Sequence, residues 1–108
     1  MCGIAGVCNL NGEPVSRSLL KSMTDIIAHR GPDGEGHYVD GSVGLGHRRL
    51  AVIDLSPAGS QPMANSTGDV TITYNGEVYN FRELRRDLEA VGRVFASKSD
   101  TEVVLAAF

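Results

Sequence analysis

The chain of 108 residues has no tryptophan, only two cysteines and four prolines, and an aromatic content of 6%. It contains no apolar run close to the roughly 18–20 residues that a membrane-spanning helix requires. The N-terminus lacks both the basic segment and the long apolar run of a secretory signal peptide. We therefore expect a globular protein of the cytoplasm that has no membrane partner.

A strong charge of one sign is also missing. Ten Lys and Arg residues against 13 Asp and Glu residues give a net charge of −3, and basic residues adjoin only at Arg48–Arg49 and Arg85–Arg86. Proteins that bind nucleic acids usually carry a basic stripe, so we expect no nucleic-acid partner. The three histidines lack the spacing of a metal site, and Gly44-x-Gly46 lacks the third glycine of a dinucleotide loop. We expect neither a metal nor a nucleotide cofactor in this segment.

The two cysteines, Cys2 and Cys8, are too far apart for a disulfide if the residues between them form a strand. Such a strand would separate them by about 20 Å. A disulfide needs Cα atoms within about 7 Å of each other. Two free thiols indicate a reducing compartment, in agreement with the cytoplasmic expectation.

Hydrophobic spacing predicts three helices. They cover residues 15–28, residues 80–92 and the stretch from 99 onward. Asn80 with Glu83, and Ser99 with Glu102, have the spacing of capping boxes at the last two helix starts. No stop signal precedes Phe108, so we expect the domain to continue beyond it.

Strand patterns and turn residues complete the prediction of an α+β fold. Asp40–Ser42 has the composition of a hairpin turn, and residues 57–62 contain the Pro and Gly of a loop. Short apolar or alternating runs predict strands at 3–7, 36–40, 43–53, 70–74 and 94–96.

Cys2 is the first candidate for chemistry, because removal of Met1 would make it the N-terminal residue. A free α-amine has a pKa of about 7.7–8.0, so much of it can accept a proton near neutral pH. The amine could take the proton of its own thiol, directly or through water, and no histidine would be required. Gly3 would leave room for a substrate beside the sulfur. The structural interpretation is a small buried apolar residue.

Three further features each have a structural and a functional interpretation. Arg49, which precedes an apolar run, is either a solvated surface residue or a planar fork for a substrate carboxylate. Asn75 and Gly76 form either a tight turn or an oxyanion hole. Asp100 either stabilises the first turn of a helix or binds a substrate ammonium. The residues alone leave these alternatives open.

Six motifs occur in order along the chain: Met-Cys-Gly-Ile-Ala-Gly at the start, His29–Asp33, Gly46–Asp54, Gln61–Met63, Tyr74–Asn80 and Ser99–Glu102. Together they resemble the glutaminase domain of glutamine-hydrolysing asparagine synthetases. The resemblance covers the whole chain. The second and third motifs are more similar to asparagine synthetases than to the sugar-phosphate or purine-pathway relatives.

The resemblance implies an N-terminal-nucleophile hydrolase fold, which is a four-layer αββα sandwich. Residues 1–108 would be the N-terminal part of a type 2 glutamine amidotransferase domain, and the synthetase domain would lie outside this segment. Only about one sheet with its helices is predicted here, so an apolar sheet face would stay uncovered. We therefore expect the isolated segment to associate, homo-oligomers included.

The resemblance also implies roles for individual residues. Cys2 would attack the side-chain amide of glutamine, and Asn75 and Gly76 would hold the oxyanion. The substrate-binding residues would be Arg49 for the α-carboxylate, Glu77 and Asp100 for the α-ammonium, and the backbone of Val52 and Ile53 along the pocket, beside Asn75 and Gly76.

The implied reaction is the hydrolysis of glutamine to glutamate and ammonia. In the family, a C-terminal synthetase domain uses the ammonia, with ATP and Mg²⁺, to make asparagine from aspartate, so those cofactors are expected only there. Two alternatives stay open. The segment could bind glutamine without turnover, or it could belong to a relative that supplies ammonia to a different acceptor.

Overall fold

A three-stranded antiparallel sheet forms the frame of the computed structural model, which describes residues 1–108. The strand order is β1-β3-β2, so β3 is central and makes backbone hydrogen bonds on both edges. In β1, Gly3 lies opposite Arg48 of β3, and in β2, Gly34 lies opposite Arg49. The strands are β1 (Gly3–Cys8), β2 (Gly34–Asp40) and β3 (Val43–Arg49).

The predicted hairpin between β2 and β3 is confirmed. Its turn contains Gly41 at a φ of 55°, which glycine adopts without a steric penalty. The predicted end of the third strand at residue 53 is wrong, because β3 ends at Arg49. Beyond it, the amide of Leu50 donates to the Cys2 sulfur and the amide of Ala51 donates to the Asp33 carboxylate. These side chains take the hydrogen bonds that a further strand would have used.

Helix α1 (Arg17–Ile26) packs on one face of this sheet through the fully buried side chain of Leu20. Ser16 caps the helix by accepting a hydrogen bond from the amide of Leu19 at 3.3 Å. Gly46 of β3 allows a close approach, because a Cβ atom there would lie 2.5 Å from Cγ2 of Thr24. The helix ends two residues before the predicted end at 28, and a short 3₁₀ turn follows at Ala28–Arg30.

The second half of the chain approaches the opposite face of the sheet. Thr73 anchors it there, since its hydroxyl bonds to the backbone oxygen of Gly46 at 3.3 Å. Helices α2 and α3 pack against each other, and Arg85 of α2 donates to the Ser97 oxygen at 2.7 Å. The elements of this half are β4 (Met63–Ala64), β5 (Thr71–Ile72), α2 (Phe81–Ala90) and α3 (Asp100–Ala107).

The strand predicted at 94–96 is absent, and the strand predicted at 70–74 is reduced to two residues. The Glu102 carboxylate accepts the amides of Ala96 and Ser97 at 2.8 and 2.7 Å, so a side chain replaces a neighbouring strand. Ser99 does cap α3, as predicted, by accepting the amide of Thr101 at 3.1 Å. Because Glu102 turns to Ser97, the predicted capping box is not completed.

The predicted capping role of Asn80 is also wrong, because its side chain makes no capping hydrogen bond in α2. The predicted α+β class is confirmed, with a three-stranded and a two-stranded sheet and three α-helices. On the sheet face away from α1, Ile4 is 50% exposed and Val43 is 39% exposed. No helix combines the length and apolar character needed to cross a membrane.

Candidate functional site

One cleft collects all eight candidate residues of the sequence analysis. It lies where the N-terminus and the end of β3 meet segment 74–77 and the start of α3, and its open volume is about 690 Å³. The fold therefore assembles residues that are up to 98 positions apart in the chain. The candidates in its lining are Cys2, Arg49, Val52, Ile53, Asn75, Gly76, Glu77 and Asp100.

Cys2 lies directly before β1, at the edge of this cleft. The pairing of Gly3 with Arg48 brings its sulfur to the end of β3, where it accepts the Leu50 amide at 3.3 Å. The thiol can donate to the Leu50 oxygen at 3.6 Å. Arg30 donates from Nε to the Cys2 backbone oxygen at 3.2 Å. These contacts hold the half-buried Cys2, whereas Cys8, at the far end of β1, is exposed.

Arg49 is a half-buried residue that organises a loop, not a solvated surface residue. Its guanidinium donates to the backbone oxygen of Ser56 at 2.7 Å and also to that of Asp54. The carboxylate of Asp54 in turn accepts the amide of Lys98 at 2.8 Å, which links the loop to the start of α3. Hydrogen bonds from the Ser56 side chain and from the Lys98 and Ser56 amides lower the pKa of Asp54 to about 2.

Asn75 and Gly76 do not form the tight hairpin turn that was one of their two interpretations. A type I′ turn requires a positive φ at both central residues, and the φ of Gly76 is not positive. The segment leads from β5 towards α2, and no strand returns from it. Gly76 instead gives space to a neighbouring ring, since a Cβ atom there would lie 2.6 Å from the hydroxyl oxygen of Tyr74.

Asp100 lies in the first turn of α3, as its structural interpretation requires, and its role towards a substrate ammonium stays a prediction. It is the first residue of α3 and is 6% exposed. Its Oδ2 atom accepts the Val78 amide at 2.9 Å, and Oδ1 makes no hydrogen bond within the chain. The carboxylate thus fixes one end of segment 74–78 and still has a free oxygen in a residue that lines the cleft.

His47 lines the cleft, although no sequence motif predicted a role for it. It is 1% exposed, and its Nδ1 atom lies 3.0 Å from the hydroxyl oxygen of Thr73. That hydroxyl donates to the Gly46 oxygen, so Nδ1 must be the donor in the His47–Thr73 bond. Nε2 is then an acceptor, and it is buried without a partner. Burial, with a smaller effect of the Arg49 charge, lowers the pKa of His47 to about 4.

Gln61 is the second residue that the sequence analysis left without a role, although it lies in one of the six motifs. It lines the cleft beside Tyr74 and Thr101. Spacing along the chain could not have found it, because its contacts are with residues 13 and 40 positions away. No group of three or more His, Cys, Asp and Glu residues has a metal-binding arrangement.

The comparisons with known proteins agree on one family. The family model described as a glutamine amidotransferase domain matches residues 1–108. The chain is 44% and 43% identical, over 113 and 111 residues, to glutamine-hydrolysing asparagine synthetases 1 and 3 of Bacillus subtilis. It is 37% identical over 120 residues to amidase chry2 of Gibberella zeae. Each alignment covers 100% of this chain but only 17% or 18% of the relative.

The lowered pKa of His47 predicts how stability depends on pH. A histidine with a folded pKa of about 4 and an unfolded pKa of about 6.5 binds fewer protons when folded. The free energy of unfolding should therefore fall as the pH is lowered from about 6.5 to about 4. The slope from this one group is at most about 1.4 kcal/mol per pH unit. Urea unfolding at closely spaced pH values measures it.

The matched variant is His47→Gln, which keeps a polar side chain and cannot titrate. It should lose the part of the slope that His47 contributes between pH 6.5 and pH 4. The carboxylates with lowered pKa values, Asp25, Asp54 and Asp69, add to the slope below about pH 5, but both proteins contain them, so the difference between the two slopes reports His47. The same slope in both proteins would show that His47 is not neutral in the fold.

Proposed function

The chain belongs to the glutamine amidotransferase domain family, and from this premise we propose that its cleft hydrolyses glutamine with Cys2 as the nucleophile. The observation that carries the proposal is the cleft itself. It combines one thiol with a guanidinium, the carboxylates of Glu77 and Asp100, and an Asn-Gly segment from distant parts of the chain. A thiol nucleophile, a carboxylate-binding cation and ammonium-binding anions are the groups that hydrolysis of an α-amino acid side-chain amide needs.

The thiol loses its proton to the α-amine that Cys2 carries once Met1 is removed. The sulfur then forms a bond to the amide carbon of glutamine, and the C–N bond of that amide breaks. The amine returns the proton to the departing nitrogen, which leaves as ammonia. Water cleaves the thioester, giving glutamate and the free thiol. The Leu50 amide, 3.3 Å from the sulfur, holds the nucleophile at the end of β3.

A histidine base fits this site less well. His47 is the histidine in the cleft lining, and its pKa of about 4 makes it a weak base at neutral pH. Its free Nε2 atom is enclosed, and its other nitrogen is bonded to Thr73. The hydrogen bonds of the Cys2 sulfur go to the backbone of Leu50, and no imidazole is hydrogen-bonded to it.

The oxyanion of the tetrahedral intermediate would be held by the side-chain amide of Asn75 and the backbone N–H of Gly76. Both residues line the cleft with Cys2. Their segment is fixed at its far end by the buried Asp100, through the Val78 amide. Donors that are already in place stabilise developing charge without any cost of reorganisation during the reaction.

The remaining polar groups suit the zwitterionic end of glutamine. A guanidinium has five N–H donors, and Arg49 uses two nitrogens on the loop carbonyls, so donors remain for an α-carboxylate. The free Oδ1 of Asp100 and the carboxylate of Glu77 would accept the α-ammonium. The backbone beside Val52 and Ile53 would close the pocket along the substrate chain.

The larger assembly is part of the same proposal. We assign residues 1–108 to the N-terminal part of a four-layer αββα domain, because the sheet face with Ile4 and Val43 leaves room for a second sheet. The chain spans less than a fifth of the length of the synthetases it matches. We therefore place the ammonia acceptor, with its ATP and Mg²⁺, in a C-terminal synthetase domain that converts aspartate to asparagine.

A different ammonia acceptor is the second candidate function, because one similar protein, amidase chry2, is not named as an asparagine synthetase. The two are separated by incubating the full natural chain with glutamine, ATP, Mg²⁺ and aspartate. Asparagine formation in step with glutamate supports the synthetase assignment. Glutamate and free ammonia without asparagine would support another acceptor.

Replacing the nucleophile tests the reaction directly. Cys2→Ala in the full natural chain should abolish glutamine hydrolysis, because no other group in the cleft can form the thioester. Cys8→Ala is the matched control and should keep most of the activity, since Cys8 is exposed at the other end of β1. Glutamate release is the measurement. Substantial activity in Cys2→Ala would refute the assignment of the nucleophile.

Retention of Met1 should inactivate the site. With Met1 attached, the nitrogen of Cys2 is an amide that cannot accept the thiol proton, and Met1 itself lines the cleft. A preparation that begins at Cys2 should hydrolyse glutamine, and one that keeps Met1 should not. Intact mass spectrometry identifies each form before the assay. Equal activity of the two forms would exclude the α-amine as the base and direct attention to His47.

Arg49→Lys should raise KM for glutamine although it keeps the charge. A lysine ammonium cannot make two parallel hydrogen bonds to a carboxylate. Loss of a charged hydrogen bond costs about 1.5–3 kcal/mol, which corresponds to a roughly ten- to hundredfold higher KM. Arg48→Lys is the control, because Arg48 binds Asp25 and Glu35 outside the cleft. An unchanged KM in Arg49→Lys would leave Arg49 with a role in the loop alone.

A further inference from the structure

Gln61 connects three parts of the structure through one side-chain amide. Its Oε1 accepts the Tyr74 amide at 2.6 Å, and its Nε2 donates to the Thr101 hydroxyl at 3.1 Å. Thr101 is 2% exposed and lies in the first turn of α3. The side chain therefore forms a bridge from the start of α3 to the residue before Asn75.

The backbone of Gln61 is as firmly placed as its side chain. The backbone of Gln61 lies against Gly36 of β2. A Cβ atom at Gly36 would be 2.0 Å from the backbone oxygen of Gln61. Only glycine permits this approach, so the sheet fixes one end of the bridge and α3 fixes the other. Because Gln61 is held by Gly36 and by Thr101, its side-chain oxygen has a defined position, and this position fixes the Tyr74 amide that donates to it.

The segment that follows Tyr74 contains the proposed oxyanion hole. Gln61 holds its first residue through the Tyr74 amide, and Asp100 holds its last residue through the Val78 amide. Asp100 lies in the first turn of α3, and Gln61 is hydrogen-bonded to Thr101 of the same turn. Asn75 and Gly76 therefore lie between two backbone amides that are held by side-chain acceptors, and both acceptors are connected to the first turn of α3.

We propose that Gln61 is a positioning residue that sets the oxyanion segment, Tyr74–Val78, at its working distance from Cys2. The inference rests on the proposed function and adds to it a residue that acts through Asn75 and Gly76. A glutamine amide suits this position, because one end of the side chain accepts from a backbone N–H while the other donates to a hydroxyl. Gln61 itself needs no contact with the substrate.

A positioning role has a distinct kinetic signature. The oxyanion exists only after attack, so a displaced segment weakens the transition state and leaves glutamine binding nearly unchanged. Misplacement of a catalytic group by about 1 Å can cost roughly a hundredfold in rate. We expect Gln61→Met, which keeps the length but removes both polar ends, to lower kcat by about ten- to hundredfold with KM within about twofold.

Conservative replacements and a matched control separate positioning from general destabilisation. Gln61→Glu should recover much of the lost kcat, because a carboxylate accepts the Tyr74 amide and the Thr101 hydroxyl can turn to donate to it. Thr101→Val, which is isosteric and leaves the Tyr74 bond in place, should give a smaller loss. Asn65→Ala is the control, because it removes a similar side-chain acceptor, from the Val70 amide, in the β4–β5 hairpin outside the cleft.

A binding measurement adds a readout that does not depend on turnover. An analogue of glutamine with an aldehyde in place of the amide forms a hemithioacetal with the thiol, whose oxygen occupies the oxyanion position. Its affinity should fall in Gln61→Met by the same factor as kcat/KM, whereas the affinity for glutamate should not change. A fall in thermal stability alone would change neither kcat/KM nor the affinity for the aldehyde.

The outcomes distinguish this inference from the proposed function. All variants are made in the full natural chain beginning at Cys2. If that protein does not hydrolyse glutamine, the proposed function itself fails. If it does, and Gln61→Met keeps kcat and aldehyde affinity, the positioning role is overturned while the function stands. If Gln61→Met does not fold, Thr101→Val decides, because an unchanged kcat there would also overturn the role.

Discussion

Hydrogen bonding in the buried first turn of α3 is the constraint on which the cleft depends. Ser99, Asp100 and Thr101 are each at most 7% exposed, although all three are polar. An unpaired buried polar group costs about 1–3 kcal/mol, so these residues must find partners. The partners include Val78 and Gln61, which belong to two different loops around the cleft. The hydrogen bonds that satisfy the polar groups of this one helix turn therefore also fix the loops that carry the proposed chemistry.

The sheet separates residues that face α1 from residues that face the cleft by simple alternation. Neighbouring side chains on β3 point to opposite faces. Arg48 lies on the α1 side, in ion pairs with Asp25 and Glu35, whereas Arg49 lies in the cleft. The two glycines with the closest neighbours on these faces, Gly46 towards α1 and Gly36 towards the Gln61 loop, let backbone and side chains approach the sheet directly. The two adjacent arginines therefore make their contacts on opposite faces of the sheet.

Local sequence signals predicted the elements that local forces control. The β2–β3 hairpin follows from its turn residues, and α1 follows from its apolar spacing. The predictions failed where a distant side chain captured backbone amides: Glu102 did so at the predicted strand 94–96, and Asp33 did so after β3. Periodicity cannot reveal such bonds, because it reports which residues are apolar and not which amides are already paired.

The sequence by itself determined the family, the α+β class and the set of eight candidate residues, because ordered motifs and short-range periodicity are properties of the chain alone. The comparisons confirm the family, and the structure places every candidate in one cleft. Only the tertiary structure decided that His47 is buried and neutral, and that Gln61 joins β2, α3 and the segment before Asn75. Burial and long-range hydrogen bonds arise when separate elements pack, so no local pattern contains them.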